Sequence, residues 1–145
     1  MPKSKTSMSL SPQIIAELDS RDQFNSRSGV MERDLKRLYT LYQYELKKID
    51  LTAEEICLII DMLNGHLTDP PETARLLWAQ VEDEIRYENL AEKWKVDGDK
   101  LVEKLKSMSL LACLAIIDAA ERFWAGPDRN RDFKEAVSEI FGVRQ

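Results

Sequence analysis

Histidine and cysteine are scarce in this chain of 145 residues, which holds one histidine and two cysteines. The cysteines, Cys57 and Cys113, lie far apart in the apolar runs Ile56–Ile60 and Leu110–Leu114. A small thiol packs well in such runs. Two thiols make no disulfide framework and fit a reducing cytoplasm, which is the expected location. The lone histidine, His66, follows the helix-ending pair Asn64-Gly65, so a surface loop is expected for it. With no second histidine and no paired cysteine, a zinc or nickel site has too few ligands. The five glycines form no phosphate-cradling loop. The longest apolar run, Leu110 to Ile117, is far short of the roughly 20 residues that span a bilayer. The start, Met1-Pro2-Lys3-Ser4-Lys5, is basic, but no apolar signal segment follows it. These absences lead us to expect no enzyme, no cofactor and no membrane association.

The residues present describe an ordinary globular composition, 43% hydrophobic and 32% charged. The net charge of −5 argues against a nucleic-acid partner, but its distribution argues for one. Residues 1–48 hold nine Lys/Arg and six Asp/Glu, a balance of +3; residues 49–145 hold twelve and twenty, a balance of −8. The basic and acidic parts therefore call for different roles.

The basic part reads as strand, helix, turn and helix. In Lys5-Thr6-Ser7-Met8-Ser9-Leu10, residues Thr6, Met8 and Leu10 alternate with Lys5, Ser7 and Ser9, the period of a strand with one apolar face. Ser11-Pro12 is a helix N-cap followed by proline at the first helical position. A first helix to about Asp22 puts Ile14, Ile15 and Leu18 on one face. Gln23 to Ser26 reads as a turn, with Ser26 as the cap of a second helix that runs to about Leu46. Its apolar stripe is Val30, Met31, Leu35, Leu38, Leu41 and Tyr42. A single six-residue strand has nothing to pair with. A two-fold dimer solves this, with two antiparallel strands covering four helices and Lys5, Ser7 and Ser9 facing outward. A two-stranded ribbon of this kind fits the DNA major groove.

The run from Lys5 to Pro12, the triplet Ile14, Ile15 and Leu18, and the segment Ser26-Arg27-Ser28-Gly29-Val30-Met31 together resemble the ribbon-helix-helix repressor family. The resemblance covers about a third of the chain and departs from the family in two places: Phe24-Asn25 stands where a glycine is usual, and the first helix is about two residues short. It implies that Lys5, Ser7 and Ser9 contact bases and that Ser26, Arg27 and Ser28 grip phosphate, with Lys3 as a further phosphate contact. Physical chemistry agrees: a lysine can donate to guanine, a hydroxyl can donate or accept, and helix N-terminal amides attract anions.

The acidic part reads as helix throughout, joined to the first module by Lys47-Lys48-Ile49-Asp50-Leu51 with no flexible spacer. Thr52-Ala53-Glu54-Glu55 is a capping box, opening a helix that buries Ile56, Ile59, Ile60 and Leu63. Asp69-Pro70-Pro71 is expected to start a longer helix, with Ala74, Leu77, Trp78, Val81 and Ile85 inward and a continuation toward Trp94. After a break at Val96-Asp97-Gly98, Asp99 is expected to cap a short helix carrying Leu101, Val102 and Leu105. Ser107 or Ser109 opens the most apolar helix, expected at the bundle centre and ending near Ala125-Gly126-Pro127. A last helix follows with Phe133, Val137, Ile140 and Phe141 on one side. Glu82-Asp83-Glu84 with Glu88 has enough carboxylates for Mg²⁺, but neighbours on a helix diverge, so a solvated face is expected. Trp78, Trp94, Trp124 and Tyr87 suit a core better than a pocket.

The expected fold is thus mostly α with one short N-terminal β-strand. Residues 1–47 form a ribbon-helix-helix dimerisation module and residues 48–145 an all-α helical bundle domain. The expected function is sequence-specific binding of double-stranded DNA by a homodimer, as a transcriptional repressor. Higher oligomers or a protein partner would form through the acidic domain. The alternative is a helical protein-interaction module, antitoxin-like partner binding included, whose N-terminus only dimerises.

Overall fold

The computed structural model describes residues 9–21, 26–63, 71–87, 89–127 and 131–141. Along them run eight helices: α1 (Pro12–Asp19), α2 (Arg27–Lys48), α3 (Ala53–Met62), α4 (Ala74–Tyr87), α5 (Leu90–Trp94), α6 (Gly98–Ser107), α7 (Leu110–Ala125) and α8 (Phe133–Phe141). The chain is mostly helical, and no strand occurs among the described residues. Most of the expected strand, Lys5 to Met8, lies outside them, and Ser9 and Leu10 have no regular structure. The chain divides into two compact units, Met1–Thr40 and Leu41–Gln145.

In the first unit, Ser11 caps α1 by accepting a 3.3 Å hydrogen bond from the Ile14 amide, and Pro12 opens the helix. The helix stops at Asp19 rather than near Asp22. The Ser20 hydroxyl donates to the Glu17 carbonyl at 2.7 Å, and its amide closes on Ala16 and Leu18. A serine bonding back to the chain in this way competes with helix propagation. Ser26 caps α2 as expected, its hydroxyl accepting from Gly29 N–H at 3.2 Å. Of the 22 residues of α2, only Val30 is buried. In its expected apolar stripe Met31, Leu38 and Tyr42 are half-buried, while Leu35 and Leu41 are exposed.

The second unit is built around α3. The Thr52 hydroxyl accepts from Glu55 N–H at 3.1 Å and the Glu55 carboxylate accepts from Thr52 N–H at 2.9 Å, so the expected capping box is closed. Ala53, Glu55 to Ile60 and Met62 are buried, which leaves α3 no solvent-facing stripe. It packs against α4, α5 and α8. The bundle centre therefore lies at α3 and not at the start of α7, where Leu110 is 58% exposed and Leu111 and Leu114 are half-buried. Both helices are largely apolar, and the packing of neighbours around α3 distinguishes them.

Three further helix boundaries, all in the second unit, differ from expectation, each for a local reason. α4 begins at Ala74 because Thr73 caps it, accepting from Leu76 N–H at 3.4 Å, so the prolines lie before the helix. Asn89 adopts a left-handed conformation (φ 57°), which separates α5 from α4; asparagine tolerates this well. The cap of α6 is Asp97, accepting from Lys100 N–H at 3.2 Å, and not Asp99. Gly98, expected as a breaker, is instead the first residue of α6. A Cβ there would lie 2.7 Å from Ile85 Cγ2, so glycine is what lets α6 close on α4. Ser109 caps α7, accepting from Ala112 N–H at 3.1 Å.

Polar pins tie the outer helices to α3. Its Ile60 carbonyl, in the last turn where no helical partner is available, accepts from Trp124 Nε1 of α7 at 2.8 Å. Asp61 accepts from Lys93 Nζ at 2.7 Å and Trp94 Nε1 at 2.9 Å. The buried Glu55 pairs with Lys104 of α6 at 2.7 Å, and Glu54 with Lys134 of α8 at 3.0 Å. Phe133 packs its ring between Trp94 (5.4 Å) and Trp124 (5.7 Å), with Phe123 edge-on at 5.4 Å. Phe123 is core, and Trp78, Trp94, Trp124 and Phe133 are half-buried against it, whereas Tyr87 is 70% exposed and stands apart.

Candidate nucleic-acid interface

The end of α1 and the start of α2 meet through two crossed ion pairs. Arg27, the first residue of α2, donates from Nε and Nη2 to the two carboxylate oxygens of Asp19, the last residue of α1, at 2.6 and 2.8 Å. Arg21, just beyond α1, pairs with Asp34 of α2 and lies 3.8 Å from Glu17. Each partner of the first pair is badly placed on its own helix: Asp19 adds negative charge at a helix C-terminus, and Arg27 adds positive charge at a helix N-terminus. Pairing them relieves both. The guanidinium holds the Asp19 carboxyl below the usual aspartate range, and Arg21 does the same for Asp34. No other acid enters the first turn of α2 and no base the last turn of α1.

Of the residues expected to grip phosphate, Ser26, Arg27 and Ser28 come together at this helix start, and all three are exposed. The Ser26 hydroxyl is already accepting from Gly29, and Arg27 from the outset faces a carboxylate. Of the expected base readers, Ser9 is exposed, while Lys5 and Ser7, together with Lys3, lie outside the described residues. Asp19 carries no signal in the sequence that marks it as part of this site. It lies eight residues from Arg27, and only the approach of the two helix ends brings the two together.

The rest of the described molecule offers less chemistry. An open cleft of about 470 Å³ between the N-termini of α3 and α6 is lined by Glu54, Glu55 and Asp97 against Lys95, Lys100 and Lys104, so its charges cancel. No three His, Cys, Asp or Glu side chains converge as a metal site among the described residues. In the acidic stretch, Glu82 turns to Arg86 at 3.9 Å; Glu88 and His66 lie outside the described residues. Both cysteines are buried free thiols. Burial pushes Cys57 up to about 11 and also raises Cys113, whose thiol donates to the Leu105 carbonyl at 3.7 Å, so neither is a ready nucleophile. No described helix is long and apolar enough to cross a membrane. Compared with known proteins, the chain matches no family model, no curated protein and no solved structure.

Proposed function

We propose that this chain binds double-stranded DNA as a homodimer, with residues 1–47 forming a ribbon-helix-helix module that acts in transcriptional repression. The observation that carries this reading is the thin core of the first unit. Among its described residues Leu18 and Val30 are the buried apolar side chains, while Ile14, Leu35 and Tyr39 are 41–47% exposed. Some forty residues with so little enclosed surface do not make an independent core. A second copy that pairs strand with strand and helix with helix would enclose them. The two helices, capped by Ser11 and Ser26, follow one another in the order expected of such a module. The exposed Ser26-Arg27-Ser28 start of α2 offers amides, hydroxyls and a cation to a phosphate.

The alternative, an interaction module whose N-terminus only dimerises, draws support from Arg27, whose guanidinium is already held by a carboxylate. One experiment separates the two. A labelled random-sequence duplex titrated with the chain should bind at low salt and lose affinity steeply as salt rises, because phosphate contacts release counterions. No binding at low salt ends the DNA reading and leaves the alternative. With a duplex selected from a random pool, Ser7→Ala with Ser9→Ala should relax base preference without dissociating the dimer. If specificity is untouched, Thr6, Met8 and Leu10 are the outward set instead.

A further inference from the structure

The Asp19–Arg27 pair places an anion where the proposed function requires a DNA phosphate. The carboxylate receives both Nε and Nη2 of the guanidinium in the two-point geometry that a phosphate would also use. It also neutralises the one cation in the first turn of α2, where the helix itself attracts negative charge. Both side chains are about half exposed, 52% for Arg27 and 43% for Asp19, so the pair is held weakly and can exchange partners. The neighbouring Arg21–Asp34 pair ties the end of α1 to α2 as well, so releasing Arg27 does not by itself part the two helices.

On these observations we infer that Asp19 is a built-in phosphate mimic, which occupies Arg27 in the free protein and must be displaced when DNA binds. The inference rests on the DNA-binding reading and gives it a regulator. Asp19 lowers affinity for every duplex alike, and so leaves sequence preference to the residues that face the bases. A non-cognate duplex, held through phosphates alone, is released more readily as a result.

The test uses the full chain, a labelled 30-base-pair random duplex, and a series of salt concentrations. Asp19→Asn should bind about two- to five-fold tighter than the natural chain at low salt, the range expected for release of an exposed ion pair. The slope of log affinity against log salt should steepen by up to about one phosphate contact. Removing any acid makes the surface more positive, so Asp34→Asn serves as the charge-matched control, and it should gain less. In an Arg27→Ala background, Asp19→Asn should gain no more than that control. Helix content by circular dichroism reports whether each variant is folded. If the natural chain binds and Asp19→Asn binds no tighter than Asp34→Asn, the mimic is overturned while DNA binding stands. If neither the natural chain nor Asp19→Asn binds the duplex at low salt, the DNA-binding reading itself falls, and the mimic with it.

Discussion

Single side chains in the second unit act mostly by finishing what a helix end leaves undone. Trp124 is the clearest case. It fills the aromatic cluster beside Phe133 and also donates to the Ile60 carbonyl at the end of α3. Trp124→Phe keeps most of the ring volume and removes the donor. It should cost about 1–3 kcal/mol, the penalty of a buried acceptor left without its partner, read as a lower urea midpoint with little change in slope. A loss under about 0.5 kcal/mol would mean that the carbonyl finds another donor. Some of these residue roles were legible in the sequence, because capping obeys local rules. Ser11-Pro12, Ser26, Thr52 with Glu55 and Ser109 each sit where those rules put them. The bond from Trp124 to Ile60 was not legible, since 64 positions separate the partners.

Among elements, the decisive contacts are those between helices whose surfaces must match. α6 approaches α4 at Gly98, beneath the stiff, β-branched Ile85. Gly98→Ala should cost about 1–3 kcal/mol as the two helices are forced apart, with thermal unfolding as the readout. An unchanged or raised midpoint would show that Ile85 simply turns aside and that the better helix propensity of alanine prevails. A glycine between two aspartates, Asp97 and Asp99, reads in sequence as a breaker. Its role in close approach depends on Ile85, which lies in another helix. The same limit applies to the centre of the bundle. α3 and α7 have similarly apolar sequences taken whole, and only the neighbours around α3 decide which is enclosed.

At the scale of the whole molecule, paired charges decide how stability follows pH. Arg27, Arg21 and Lys134 hold Asp19, Asp34 and Glu54 respectively below their usual ranges. A carboxylate with a lowered folded-state pKa contributes stability that is present above its unfolded value. That contribution is lost as pH falls through the folded one. Asp118 has the opposite sign: burial raises it, so its protonation as pH falls favours the folded chain. With three such groups against one, the urea midpoint should fall as pH drops from about 5 to below 3. Glu54→Gln should start lower at neutral pH and lose less over that interval. An equal loss in the variant would mean that the Glu54–Lys134 pair contributes nothing to acid stability.

Sequence alone determined that the chain is mostly helical, where α1, α2 and α3 are capped, and which charges gather in the first 48 residues. These are matters of short-range pattern, set by the period of the helix, the reach of a serine or threonine side chain and the count of like charges. The proposed DNA readers also came from local pattern, and Lys5 and Ser7 rest on it still. Tertiary structure decided which helix is central, why Gly98 must be small, and that Asp19 holds Arg27. Each of these depends on two residues that the chain separates and the fold rejoins, and no periodicity in one segment carries the position of another.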